Sequence, residues 1–297
     1  MGLRSPHEAS CQRIASINPV YGGRAMPSFL EISPEKLSRL VGTPNAPALI
    51  DVRTDADFEA DPWLIPGSRR RSYTDVASWA GELINGPVVV ICQKGKKLSH
   101  GVAAYLRTGG TAAEVLEGGF DAWKATALPL IPTAQVPKRD AQCRTVWVTR
   151  SRPKIDRIAC PWLIRRFIDP GAVFLFVAPG EVVAVAERFG ATPFDVDDVF
   201  WSHRGELCTF DVMIEEFGLA VAPLLHLATI GRGADTARPD LAPEVAGLLA
   251  ASLGLSRMFN DDLQQLEAGM TLYDAFYRWC RDATGETHDW PTGKKGN

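Results

Sequence analysis

The sequence predicts a parallel α/β domain followed by a helix-rich α+β domain, and three observations predict it. Short apolar runs alternate with helix-period segments from Ser28 to about Pro132. A segment with three prolines and no periodicity, Leu128–Gln142, then interrupts the pattern. Beyond it two strand-like runs are outnumbered by helical ones. The expected organisation is a first domain over 27–132, a linker over 133–142 with the boundary near Ala141, and a second domain over 143–285.

In chain order, Phe29–Ile32 reads as a strand, and Ser33-Pro34 as an N-cap with proline at the first helical position. Ala48–Val52 is an apolar run of buried-strand type, and Asp55–Phe58 starts a short helix. Asp75–Ile84 is helical, and Pro87–Ile91 (PVVVI) is the clearest core strand. Leu98, Val102 and Leu106 share one helix face; Ala112–Leu116 is a strand and Phe120–Lys124 a short helix. In the second half Thr145–Thr149 and Val173–Val177 read as strands. Helices are expected at Pro161–Ile168, Glu181–Phe189, Thr209–Phe217, Pro223–Ile230, Pro243–Leu253, Phe259–Leu266 and Leu272–Asp282.

Composition narrows the function classes. The 297 residues are 46% hydrophobic and 23% charged with net charge −3, which disfavours a surface built to grip nucleic acid. No run approaches the roughly 18 apolar residues of a membrane span. Residues 1–26 lack a secretory apolar region and any periodicity, so they read as a disordered tail, with Met26 an alternative start to Met1; 286–297 read as a second tail. Six cysteines are too few for a disulfide scaffold of this size, so free thiols and a cytoplasmic location are expected.

One cysteine stands where a nucleophile belongs. Cys92 follows the PVVVI strand directly and precedes a loop and a helix, and open α/β sheets place their sites at the carboxyl ends of strands. Gly95 lets the loop curl, and its N–H groups with the helix N-terminus make an anion cradle. Lys94, Lys96 and Lys97 add positive charge, and all of this favours the reactive thiolate. The plainer reading is a buried structural cysteine beside three solvated lysines.

Four motifs, DVR at Asp51–Arg53, IPGS at Ile65–Ser68, CQKGKKLSHG from Cys92 and GGFDAW at Gly118–Trp123, together resemble a rhodanese domain in order and spacing. The resemblance implies a sulfurtransferase that carries sulfur as a persulfide on Cys92, with Asp51 and Arg53 near the active loop as substrate-binding candidates or, equally, an ordinary structural pair, and no cofactor needed for sulfur transfer. Its partners would be a small anionic sulfur donor and a thiol or cyanide-like acceptor. Many rhodaneses carry arginine where this chain has Lys97, which keeps the charge but loses the forked geometry. The related dual-specificity phosphatases carry arginine one position later; Leu98 stands there and cannot clamp phosphate.

The second half offers weaker signals. With Pro161 at the first helical position, Cys160 would sit at a helix N-terminus among Arg157, Arg165 and Arg166, with reasons for a depressed pKa; packing of Cys160 in the core is the competing reading. His203, Glu206, Cys208 and Asp211 crowd four donor types into SHRGELCTFD, a candidate metal site, although a loop that caps the next helix explains the same letters. His226 reads as a core-flanking histidine. GRGADT at Gly231–Thr236 reads as a glycine-rich turn, with Arg232 and Asp235 as polar pocket residues.

PKIDRIACPWLIRRFID, SHRGELCTFD, GRGADT and SRMFNDDLQQLEAGMTLYDAFYRW resemble the C-terminal domain of the chromate-resistance protein B family. That implies a role in chromate resistance as sensor, regulator or detoxifying enzyme, with chromate as a ligand; no nucleic acid or membrane partner is expected. Two functions follow: a cytoplasmic sulfurtransferase coupled to a chromate-linked domain, or a non-catalytic chromate or redox sensor that uses the same loop. A phosphate-handling enzyme is the weaker third.

Overall fold

The computed structural model describes residues 30–83 and 86–286. The expected tail over 1–26, all of the C-terminal tail beyond residue 286, and positions Phe29 and Ile84 lie outside the described residues.

The first half is a five-stranded parallel sheet with helices on its faces. Strand β1 (Glu31–Ile32) leads into α1 (Pro34–Ser38), where the Ser33 side chain accepts the Lys36 N–H as an N-cap should. Next come β2 (Ala48–Asp51) and α2 (Asp55–Ala60), the latter capped by Thr54. The short strands β3 (Trp63–Leu64) and β4 (Ser68–Arg70) precede α3 (Val76–Trp79), which tightens into a 3-10 turn over Ala80–Leu83. Strand β5 (Val88–Ile91) is buried at every position, as its unbroken apolar run requires, and is followed by α4 (Lys97–Thr108). β6 (Ala113–Leu116) and α5 (Gly119–Ala125) complete the domain.

Sheet order is β1-β6-β5-β2-β4, every pairing parallel. The chain leaves β2 towards β4 on one side and leaves β5 towards β6 on the other. The β2/β5 boundary is therefore the switch point of the sheet, and its carboxyl end opens a crevice.

The proline-rich segment is not wholly a linker. Ile131–Pro132 form β7, antiparallel to β3, because a short edge strand tolerates proline and Ile131 buries itself against the core.

The second half starts with β8 (Val146–Arg150), α6 (Asp156–Leu163) and β9 (Val173–Val177), followed by α7 (Val182–Phe189) and β10 (Thr192–Pro193). Its sheet is parallel, in the order β10-β8-β9. Four helices follow: α8 (Thr209–Glu216), α9 (Ala222–Asp235), α10 (Val245–Met258) and α11 (Asp262–Asp282). Among the described residues no helix is long and apolar enough to cross a membrane.

Three helix expectations are corrected here. Pro161 is not at a helix start: α6 begins at Asp156 and Pro161 lies inside it, before a π-turn over Ile164–Ile168. Apolar residues at 155, 158, 159, 162 and 163 carry the helical stripe, and burying it outweighs the one hydrogen bond that proline forfeits. GRGADT is not a turn; Gly231–Asp235 are the last residues of α9, and a Cβ at Gly233 would meet Val245 at 2.5 Å, so the glycine serves helix packing. The two helices expected at Phe259–Leu266 and Leu272–Asp282 are the single α11. Gly269 does not break it but lets it approach α6, where a Cβ would lie 2.5 Å from Ile158.

The two halves share a core. Trp162 packs edge-on or tilted among Phe167, Phe210, Tyr273 and Tyr277, and Phe167 reaches the first domain, where a Cβ on Gly42 would collide with its ring. Asp169 ties the seam: it pairs with Arg69 and Arg139 at 3.0 Å each and accepts the Thr145 N–H and hydroxyl. Burial pushes the Asp169 carboxyl up, but the Arg139 charge, the Thr145 amide and Arg69 together hold it below its ordinary value.

Candidate functional site

Cys92 sits at the carboxyl end of β5, in the crevice at the switch point, and is 5% exposed. Its sulfur receives the Lys96 N–H at 3.3 Å and lies 3.2 Å from the Ser99 hydroxyl on the first turn of α4. Burial pushes the thiol up, yet the Ser99 hydroxyl and the amides of Ser99, Lys96 and Lys94 outweigh it and bring the pKa below the ordinary thiol value. Lys94, Lys96 and Lys97 are exposed around the loop.

The GGFDAW motif holds this loop in shape. Phe120 N–H donates to the Cys92 carbonyl and Asp121 N–H to the Gln93 carbonyl, both at 3.0 Å. Engaging those carbonyls turns the opposite edges of the peptide units, their N–H groups, into the loop. Gly95 and Gly119 both have positive φ, +60° and +65°, and touch across the gap: a Cβ on Gly119 would lie 2.2 Å from the Cys92 carbonyl oxygen and 2.3 Å from the Gly95 nitrogen. Gly119→Ala is therefore expected to displace the nucleophile loop. A shift of about 1 Å costs on the order of a hundredfold in rate, so turnover should fall by that scale while far-ultraviolet circular dichroism stays unchanged.

Asp51 and Arg53 stand beside the loop, with Asp51 in register with Ile91, but neither offers its charge to a ligand. The carboxylate takes Arg53 Nε at 2.9 Å and Nη2 at 2.7 Å, and the guanidinium also donates to the carbonyls of Asp61 and Trp63. The Arg53 side chain is fully buried, with its guanidinium 3.8 Å from the Phe120 ring centroid. The expectation that the pair binds substrate is corrected: it braces the end of β2 beneath the loop, because an isolated buried guanidinium needs a full set of acceptors.

In the second half one imidazole meets three carboxylates. His203 Nε2 lies 3.3 Å from Asp235, 3.5 Å from Asp195 and 3.9 Å from Asp156. Hydrogen bonds to Asp195 and Asp235 raise its pKa to about 10. Asp156 is wholly buried, and burial with the nearby charges of Asp235 and Asp195 pushes its carboxyl well up.

A family model described as Rhodanese-like domain matches residues 33–126, and one described as ChrB, C-terminal domain, matches 147–280. This chain joins a rhodanese-like domain to a ChrB C-terminal domain. Protein ChrB of Cupriavidus metallidurans is 35% identical over 153 residues, which cover 48% of this chain and 43% of that protein. The chain thus spans less than half the length of that relative. Thiosulfate sulfurtransferase GlpE of Pseudomonas aeruginosa is 28% identical over 99 residues, 33% of this chain and 86% of the relative. A solved protein of Staphylococcus saprophyticus matches with 26% identity and a TM-score of 0.28, covering 31% of this chain and 91% of its own.

Within the ChrB C-terminal domain the residues singled out by sequence are dispersed. Cys160 is fully buried; burial, with the neighbouring Asp156 and Asp195, pushes its thiol well above the ordinary value, so of the two readings the core cysteine holds and the activated thiolate does not. Arg165 and Arg166 turn away from it to pair with Glu267 and Asp274 on α11, and Arg157 pairs with Asp195 at 3.3 Å. Of the four expected metal ligands only His203 is in the cluster. Glu206 is exposed, Cys208 is buried at the N-cap of α8, and Asp211 accepts the Cys208 N–H and the Arg232 guanidinium. Asp235 does reach His203; Asp156 stands in a basic run, between Lys154 and Arg157, and Asp195 in a loop with no motif of its own, so neither carries a local signal. His226 flanks the core against Trp279, as its apolar surroundings predicted.

Proposed function

We propose that this protein is a sulfurtransferase whose Cys92 carries sulfur as a persulfide. The observation that carries the reading is the Cys92 sulfur itself: recessed at the switch point, hydrogen-bonded by the Lys96 amide and Ser99, and with a lowered pKa. The Cys92 thiolate attacks the sulfane sulfur of an anionic donor such as thiosulfate. A new S–S bond forms at Cys92, the S–S bond of the donor breaks, and sulfite leaves with the electron pair. The loop amides and the N-terminus of α4 stabilise the terminal persulfide anion, and the exposed lysines favour an anionic donor. Cyanide or a thiolate acceptor then attacks the outer sulfur, and the electron pair of the broken bond returns to Cys92 as thiolate. The rhodanese-like domain and its likeness to a thiosulfate sulfurtransferase support this chemistry.

For the ChrB C-terminal domain the proposal is a part in chromate resistance that does not pass through Cys160, whose side chain is fully buried.

The test is thiocyanate formation from thiosulfate and cyanide, together with the intact mass after thiosulfate alone. A gain of one sulfur atom on a Cys92 peptide is expected; turnover without it would overturn the assignment. The rate should follow the thiolate, rising with pH to a plateau reached below the range of an ordinary thiol. Ser99→Ala removes a hydrogen bond that favours the thiolate, so the rise should move to higher pH with the plateau little changed. An unmoved profile would mean that the amides alone set the thiol.

A further inference from the structure

We infer that Asp156, Asp195 and His203 form a binding site for a divalent first-row transition ion in the ChrB C-terminal domain. The inference is independent of sulfur transfer at Cys92. One ligand atom from each of the three residues lies within 4.8 Å of the other two, in a convergent set. An ion with bonds of about 2.0–2.2 Å holds neighbouring ligand atoms roughly 3.0–3.6 Å apart. The His203 Nε2 to Asp195 and Asp156 distances, 3.5 and 3.9 Å, reach that spacing with a small contraction.

The second observation is an orphan. Asp156 is fully buried at the start of α6; its Oδ2, the oxygen 3.9 Å from His203, accepts the Phe210 N–H, and its Oδ1 has no hydrogen-bond partner at all. An unpaired buried carboxylate oxygen is costly, and a bound cation is one of the few groups that removes the cost. The surrounding charge agrees. Arg150 and Arg157 both approach Asp195 Oδ2 at 3.3 Å, which leaves Oδ1, shared with the Thr209 hydroxyl, on the His203 side. Asp235 flanks the imidazole at 3.3 Å and adds a third carboxyl group. One imidazole nitrogen with carboxylate oxygens suits ions such as Mn²⁺ or Zn²⁺, whereas Ca²⁺ and Mg²⁺ prefer oxygen alone. His203 also lines a cleft of about 610 Å³ with Arg232 and Arg238 in its wall, so water or a small anion can reach the ion's free positions.

The experiment uses the full chain, stripped with chelator and titrated with Mn²⁺ and separately with Zn²⁺ by calorimetry, with metal content read by elemental analysis. One ion per chain is expected, together with a higher unfolding temperature in its presence. His203→Ala should weaken binding by about tenfold or more; its imidazole is part-exposed, so folding is not at stake. Asp156→Asn keeps an oxygen for the Phe210 N–H, and circular dichroism verifies its fold. Cys92→Ala should bind metal normally. Absence of binding at millimolar metal overturns the inference, and so does binding that neither His203→Ala nor Asp156→Asn weakens.

Discussion

Cys92→Ala is expected to abolish sulfur transfer, by at least about a thousandfold, while the protein stays folded; losses of that size or larger are what removal of a nucleophile produces. No other thiol can substitute within the described residues. Cys160 and Cys208 are wholly buried with raised pKa values, and the Cys280 thiol is pushed up to about 11 by burial. Cys143 is exposed but lies after β7, outside the loop that presents Cys92. Alanine removes only one sulfur atom from the core, a loss of about 1 kcal/mol on the scale of a buried methyl deletion. Thiocyanate production and the unfolding midpoint, measured on the same preparation, separate the two effects. Turnover that survives the substitution would place the chemistry elsewhere.

Asp51→Asn is expected to give the largest loss of stability, about 3–5 kcal/mol, because it leaves the Arg53 guanidinium buried beside a neutral amide. Asparagine keeps the shape but loses the charge and one acceptor oxygen, and the carboxylate takes Arg53 Nε, Nη2 and its backbone N–H. The carbonyls of Asp61 and Trp63 would still accept from the guanidinium but carry no countercharge. The double replacement Asp51→Leu with Arg53→Met should cost much less than Asp51→Asn, since it removes both charges from the interior. Denaturant unfolding of the three chains decides the matter. Equal costs would mean that the pair itself, not the stranded charge, holds the loop base.

The rhodanese-like half was legible in the sequence because its instructions are local. PVVVI reads most clearly as a doubly covered strand and Ser33-Pro34 as a helix start, and a cysteine between such a strand and a glycine-bearing loop belongs at the carboxyl end of the sheet. GGFDAW was readable as a motif, although its reason was not: two left-handed glycines, Gly95 and Gly119, pressed together, with Gly119 against the nucleophile's own carbonyl. In the second half local rules misled. Pro161, Gly233 and Gly269 announce breaks, yet all three lie inside helices, since burying the stripe of α6 and bringing helices into contact offset the local penalties. Which charges meet was beyond the sequence altogether. Arg166 finds Asp274 on a distant helix, and Asp156, Asp195 and His203 converge from a helix start and two loops. The sequence alone determined the strand, loop and helix that expose Cys92, because neighbours along the chain impose them. Only tertiary packing decided the carboxylate–histidine cluster and the burial of Cys160, because both depend on which remote elements share one core.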